Sequence, residues 1–223
     1  MSRIVAVTGA AGALGGKTVD VLAGAGWTVV GIDLAQAVVD SAALKLGGVD
    51  LTDEAALAEV ADRIQSRFGR LDGLVNIAGG FRWETIVEGD VATWDRLYAM
   101  NVKTTLVTTR ALEPLLRASH GSIVNIGAAA SVKAALGMGA YAASKAGVAR
   151  LTEALAEELK DVGVRVNAVL PSIIDTPANR ADMPDADFGR WVTPEALAKV
   201  IAFLLSPEAS AVTGALLPVT GRV

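Results

Sequence analysis

Tyr141 and Lys145 are the two residues whose types and spacing most directly indicate chemistry. They lie four positions apart in a segment with helical periodicity, so their side chains are expected on one face of a helix. An ammonium group near a phenol favours the phenolate, so Lys145 is expected to lower the pKa of Tyr141 from its usual value of ~10. Tyr141 is therefore a candidate for proton transfer. A surface tyrosine near a solvated lysine is the alternative interpretation of the pair.

A glycine-rich turn directly follows the first predicted strand and opens the first predicted helix. Glycine permits a tight turn and a close approach of the backbone to a ligand, and the amino end of a helix attracts a pyrophosphate. The turn therefore predicts a site for a dinucleotide. Its candidate cofactor contacts are Gly9, Ala11, Gly12, Ala13, Leu14 and Gly15.

Asp33 ends the second predicted strand, where a carboxylate can accept hydrogen bonds from the ribose of adenosine. The same carboxylate repels a 2′-phosphate, and neither Ala11 nor Leu34 supplies a cation for one. The predicted cofactor is therefore NAD, with NADH preferred over NADPH. An ordinary turn residue at a strand end is the alternative for Asp33.

Apolar β-branched runs alternate with helical patterns along the whole chain, and these elements must position the candidate residues. The alternation predicts a single domain over residues 1–223 with a doubly wound (Rossmann) α/β fold. Its sheet is expected to be seven-stranded and mostly parallel, with helices on both faces. The predicted strands are Ile4–Thr8, Thr28–Asp33, Ala43–Val49, Gly73–Ile77, Ser122–Ile126, Val164–Leu170 and Ala215–Val219. The predicted helices are Gly12–Ala25, Asp53–Phe68, Val91–Arg117, Gly139–Asp161 and Thr193–Leu205.

Two segments depart from this regular alternation. Leu34–Ala42 is too short to hold a full crossover helix between the second and third strands. Ser172–Trp191 follows the carboxyl end of a strand, where open α/β sheets bind ligands.

The composition excludes several classes of protein. The 223 residues are 52% hydrophobic and 20% charged, which is too apolar for a disordered chain. No apolar run reaches the ~18 residues of a membrane span. A net charge of −4 does not favour binding to nucleic acid or to an anionic membrane. Zero cysteines exclude disulfides, thiolate catalysis and zinc–thiolate sites, and a single histidine makes a histidine-based metal site improbable. The first residues lead directly into a strand pattern, so we expect no secretion signal and a cytoplasmic protein.

Together the glycine-rich turn and the Tyr141–Lys145 pair, in this order, resemble the short-chain dehydrogenase/reductase family over nearly the whole chain. The resemblance implies that Tyr141 is the acid and that Lys145 holds the ribose and tunes the tyrosine. It also implies that Asn101 orders a water relay to the lysine. Further cofactor contacts implied by matching motifs are Asp50, Leu51, Asn76, Ala78, Gly79, Pro171, Ile174 and Thr176.

Ala128 marks the main departure from the family pattern, because the resemblance implies a substrate-orienting serine at this position. Ser131 comes three positions later and is not expected to face the nicotinamide. Losing a donor that polarises a carbonyl commonly costs ~10²–10³ in rate. Either the substrate does not need the serine, or the protein only binds dinucleotide. The retained Tyr141, Lys145 and Asn101 favour the first interpretation.

The remaining departures make the chain similar to the quinonoid dihydropteridine reductases, and Leu170–Trp191 is the most similar stretch. This resemblance implies hydride transfer from NADH to an oxidised small-molecule acceptor. An NAD(H)-dependent carbonyl reductase or alcohol dehydrogenase of a small ketone, and a non-catalytic dinucleotide sensor, remain alternatives. The candidate substrate contacts are Ala128, Phe81, Trp83 and Met138. Family members are usually dimers or tetramers, so a homodimer or homotetramer built on the helices Val91–Arg117 and Gly139–Asp161 is expected.

Overall fold

The seven predicted strands form one sheet in the computed structural model, which describes residues 2–223. In chain order the strands are β1 (Ile4–Thr8), β2 (Thr28–Ile32), β3 (Leu44–Leu46), β4 (Gly73–Asn76), β5 (Ser122–Ile126), β6 (Arg165–Pro171) and β7 (Leu216–Val219). Every neighbouring pair is parallel, and the spatial order is β3-β2-β1-β4-β5-β6-β7. The order therefore reverses between β1 and β4, where open α/β sheets bind ligands. The predicted α/β fold class is confirmed.

Helices cover both faces of the sheet. They are α1 (Ala13–Gly24), α2 (Glu54–Phe68), α3 (Val91–Tyr98), α4 (Thr104–Ser119), α5 (Gly139–Leu159), α6 (Pro177–Asp182) and α7 (Pro194–Leu205). One apolar core packs α2, α4 and α5 against the sheet, and a second packs α1 and α7 against the opposite face. Alternate residues of β1 enter the two cores, with Ile4 in the first and Val5 in the second.

Capping residues define several helix starts that the sequence predicts. The Asp53 side chain accepts a hydrogen bond of 2.8 Å from the backbone N–H of Ala55 at the start of α2. Thr193 caps α7 in the same way, and Pro194 occupies the first helical position. These residues satisfy backbone donors that have no partner inside the helix, so both helices begin where the sequence predicts.

The structure differs from the predicted helix Val91–Arg117. A π-helical segment, Ala99–Lys103, interrupts it between α3 and α4. A π-helical segment is a single turn with i→i+5 hydrogen bonds inside an otherwise helical run, so the sequence predicts one continuous helix there. Leu34–Ala42 contains no helix, as its length predicts. None of the helices within residues 2–223 combines the length and apolar character of a membrane span.

Candidate active site

The turn between β1 and α1 has a geometry that requires glycine at two positions. Gly9 has a φ of +66°, a left-handed conformation. A methyl group at Gly15 would lie 1.9 Å from the carbonyl oxygen of Gly9. Gly12 caps α1 without a side chain, and the first turn of the helix carries no acidic residue. The amino end of α1 can therefore receive an anionic group such as a pyrophosphate.

Asp33 joins the end of β2 to this turn. Its Oδ2 accepts a hydrogen bond of 2.9 Å from the backbone N–H of Ala11, and its Oδ1 accepts one of 2.8 Å from Ala35. Each carboxylate oxygen has a second lone pair, so the group can still accept hydrogen bonds from ribose hydroxyls. The sequence predicts the carboxylate but not its bond to Ala11, which fixes it beside the glycine-rich turn.

The other predicted contacts on the cofactor side differ in exposure. Ala13 is exposed at the start of α1, and Leu14 is buried. Asp50 is exposed, and its Oδ1 accepts hydrogen bonds of 2.8 Å from the backbone N–H and the hydroxyl of Thr52. These bonds hold the pKa of the Asp50 carboxyl below its usual value. Leu51 is buried next to it.

Thr8 bonds the backbone that directly follows β4, a role that the sequence does not indicate. Its Oγ1 accepts hydrogen bonds of 3.0 Å from the N–H of Ile77 and 3.2 Å from the N–H of Ala78. The buried Asn76 amide instead donates a hydrogen bond of 2.9 Å to Oδ1 of Asn125 in β5. The predicted contact of Asn76 with a cofactor stays a prediction, because these buried bonds give its side chain a structural role.

Asn101 lies in the π-helical segment and is buried. Its Nδ2 donates hydrogen bonds of 3.1 Å to the carbonyl of Gly80 and 2.9 Å to Oγ of Ser144. Its Oδ1 accepts one of 2.9 Å from the N–H of Gly80. Both amide donors are therefore used within the protein. The Asn101 carbonyl accepts a 2.9 Å bond from the Thr105 hydroxyl. The predicted role of Asn101 in a water relay stays a prediction.

Lys145 is buried beneath the carboxyl end of β5. Its Nζ donates a hydrogen bond of 2.8 Å to the carbonyl of Ile126. A methyl group at Gly79 would lie 3.5 Å from this Nζ and 2.5 Å from Oδ1 of Asn101. Asn101 and Lys145 therefore converge on the exposed backbone of Gly79. Burial lowers the pKa of Lys145 to about 8, because the charged form is poorly solvated there.

The predicted lowering of the Tyr141 pKa is wrong. Burial raises the pKa of Tyr141 to about 12, and the charge of Lys145 does not offset this. The spacing of the two residues places Lys145 nearby, but it does not reveal how strongly the surroundings of the phenol disfavour a phenolate. Tyr141 is therefore a protonated phenol at neutral pH.

The residues predicted to contact a substrate are apolar. Ala128 is buried, and the Ser131 hydroxyl donates a 2.7 Å hydrogen bond to its carbonyl. The ring of Phe81 lies edge-on to that of Tyr141, with centroids 4.9 Å apart and an interplanar angle of 86°. Trp83 covers Gly137, where an added methyl group would lie 2.1 Å from Cε2 of the indole.

The predicted ligand-binding segment after β6 is fixed by local hydrogen bonds. Thr176 caps α6, and its hydroxyl oxygen accepts a 3.2 Å bond from the N–H of Asn179. Asn179 Nδ2 donates a bond of 2.7 Å to the carbonyl of Ile174. Pro171 is buried at the end of β6, and Met138 is half-buried immediately before α5. The roles predicted for these residues toward a ligand stay predictions.

The fold and the site geometry define a class of protein, and comparisons with known proteins agree with it. The family model for enoyl-(acyl carrier protein) reductase matches residues 9–221. The chain belongs to the short-chain dehydrogenase/reductase family and is an oxidoreductase that uses a nicotinamide dinucleotide. The glycine cradle and the open amino end of α1 fit such a cofactor.

Particular relatives cover almost the full chain. The chain is 38% identical to cis-4-hydroxycyclohexanecarboxylate dehydrogenase of Sinomonas cyclohexanicum over 98% of this chain and 95% of the relative. It is 33% identical to the 3-oxoacyl-(acyl-carrier-protein) reductase FabG of Thermotoga maritima, covering 98% and 96%. The NADH complex of the 3-ketoacyl-(acyl-carrier-protein) reductase of Brucella melitensis superposes with a TM-score of 0.88 at 28% identity, covering 99% of this chain and 98% of that one. None of these three names refers to dihydropteridine reduction.

Proposed function

We propose that the protein transfers hydride from NADH to an oxidised small-molecule acceptor that needs no polarising hydroxyl at position 128. The observation that carries this proposal is the buried methyl group of Ala128, with the nearby Ser131 hydroxyl bonded to the Ala128 carbonyl. A quinonoid dihydropteridine is such an acceptor, because it is already electrophilic. Phe81 and Trp83, both about half exposed, supply aromatic surface for a flat ring.

The cofactor is held by the turn between β1 and α1 and by Asp33. The amino end of α1 binds the pyrophosphate, and the Asp33 carboxylate accepts bonds from the adenosine ribose. Because a negative charge at this place repels a 2′-phosphate, NADH is preferred over NADPH. The bound nicotinamide supplies the hydride.

Tyr141 supplies the proton that accompanies the hydride. Since burial raises its pKa to about 12, Tyr141 carries its proton at neutral pH and can donate it to a nitrogen or oxygen of the acceptor. The acceptor thus gains one hydride and one proton, and the tyrosine regains a proton from solvent. Lys145 holds the ribose of the nicotinamide and stabilises the transient phenolate, and the Asn101 carbonyl orders the water that returns the proton.

An NAD(H)-dependent carbonyl reductase or alcohol dehydrogenase is the second candidate. The names of the two relatives from Sinomonas cyclohexanicum and Thermotoga maritima favour it, since one is an alcohol dehydrogenase and the other a keto reductase. The same Tyr141 would then act on a ketone oxygen, without help from a hydroxyl at Ala128.

We further propose a homodimer or homotetramer built on α3 to α5. Val91, Trp94 and Tyr98 support this, because these large apolar side chains of α3 are exposed in the single chain. The expected location in the cytoplasm stays a prediction.

The test is oxidation of NADH by the wild type and by Tyr141→Phe, with chemically generated quinonoid dihydropterin and with a panel of small ketones. Turnover of the pterin that falls roughly 10²–10⁴-fold in the variant supports the proposal. Turnover of ketones alone supports the second candidate. Binding of NADH without turnover of any acceptor contradicts both and favours a dinucleotide sensor.

A further inference from the structure

The ring of Tyr141 has an aromatic neighbour from a distant part of the chain. Phe81 meets it edge-on, at a centroid distance of 4.9 Å and an angle of 86°. This edge-to-face arrangement is a favoured geometry for two aromatic rings, and such a pair contributes ~0.5–1.5 kcal/mol beyond area burial. The contact limits the positions that the phenol ring can adopt.

The backbone on each side of this ring pair is held by the same side chain. Asn101 bonds both the N–H and the carbonyl of Gly80, directly before Phe81. It also donates to Oγ of Ser144, and the Ser144 hydroxyl donates a 2.7 Å bond to the carbonyl of Tyr141. Asn101 therefore holds Phe81 and Tyr141 at a fixed spacing, and the contact between their rings is a second link between the same two segments.

The side chain at position 128 cannot orient the phenol by a hydrogen bond, because Ala128 has only a methyl group. The Ser131 hydroxyl bonds to the Ala128 carbonyl. We propose that Phe81 is a positioning residue for Tyr141, which shields the phenol from water and fixes its orientation by ring contact in place of a hydroxyl. This inference rests on the proposed role of Tyr141 as the proton donor.

The test uses the near-ultraviolet absorbance of tyrosinate and needs no substrate. The chain has two tyrosines, so Tyr98→Phe leaves Tyr141 as the only group that gives this signal. In this background we expect Tyr141 to ionise well above pH ~10, the usual value. Adding Phe81→Ala should lower the midpoint by about one pH unit or more, because water then reaches the phenol. Phe81→Leu, which keeps apolar bulk, should shift it less.

Val87→Ala is the matched control, because Val87 follows in the same connection and is 94% exposed. It should leave the midpoint unchanged. Circular dichroism at each pH and NADH affinity check that every variant is folded. A midpoint in Phe81→Ala equal to that of the Tyr98→Phe parent would overturn the proposal. A shifted midpoint in a protein that turns over no acceptor would leave the shielding by Phe81 intact and contradict the proposed function instead.

Discussion

The cofactor side and the acceptor side of this site are built in different ways. On the proposed cofactor side, the candidate binding surface consists of backbone groups of one short turn and the carboxylate of Asp33, and Gly15 allows the close packing of the turn. On the proposed acceptor side, Phe81 and Tyr141 are brought together from distant segments, and Ala128 is buried. In the proposed function, cofactor binding therefore depends on local backbone geometry, whereas acceptor choice depends on tertiary contacts between side chains.

Gly15→Val is the strongest test of whether the turn between β1 and α1 determines cofactor binding. A side chain at this position meets the Gly9 carbonyl at 1.9 Å, so the turn must move. Overpacking of this kind costs up to ~3 kcal/mol, and we expect NADH affinity to fall roughly 100-fold in a fluorescence titration. Gly24→Ala is the control in the same helix, because an added methyl group there meets no atom within 4 Å. Unchanged affinity in Gly15→Val would contradict the role of the turn.

The burial of Lys145 is tested by the pH dependence of stability. The pKa of Lys145 is about 8 in the folded protein and near 10.5 when unfolded, so the unfolded chain binds more protons between these values. The wild type should therefore gain stability over Lys145→Met as the pH rises from about 8 toward 10, by on the order of 2 kcal/mol. Tyr141 acts in the opposite direction only above pH 10, since its pKa is raised from 10.0 to about 12.

The measurement is chemical denaturation of both proteins at a series of pH values below 10. Lys133→Met removes an exposed lysine and serves as the control, for which the difference from wild type should stay flat. A flat difference for Lys145→Met as well would show that its ammonium is solvated.

The electrostatic part of cofactor choice is tested by Asp33→Asn. Asparagine keeps one oxygen that can accept the bond from the Ala11 or Ala35 backbone, but it removes the charge. We expect the preference for NADH over NADPH, measured as the ratio of kcat/KM values, to fall by about tenfold. Asp40→Asn, at an exposed ion pair with Lys45, should leave the ratio unchanged. An unaltered ratio in Asp33→Asn would remove Asp33 from cofactor selection.

The difference between local contacts and contacts of distant residues explains which parts of the fold and the site the sequence predicts. β1 and β5 begin and end at the predicted residues, because continuous apolar β-branched runs are typical of buried parallel strands. The glycine-rich turn is likewise a local pattern with a local geometric cause. The strand bounds and the turn depend on residues that are neighbours in the chain, so the sequence alone predicts them.

What the sequence does not predict depends on contacts between distant residues. The π-helical segment lies where Asn101 bonds Gly80 and Ser144, and periodicity carries no trace of these bonds. The pKa of Tyr141 is raised because the phenol is buried, whereas the sequence shows only a lysine one helical turn away. The contact between Phe81 and Tyr141 joins a loop after β4 to the first turn of α5, and no sequence pattern links these two segments.

The most direct test of the central claim is Ala128→Ser, assayed by NADH oxidation with quinonoid dihydropterin and with a small cyclic ketone. Ala128 has an extended backbone, with φ of −162°, which serine adopts without strain. We predict that the added hydroxyl raises kcat/KM for the ketone by roughly 10²-fold and leaves that for the pterin within about twofold. A wild type that reduces the ketone no less efficiently than Ala128→Ser would contradict the claim that position 128 selects the acceptor.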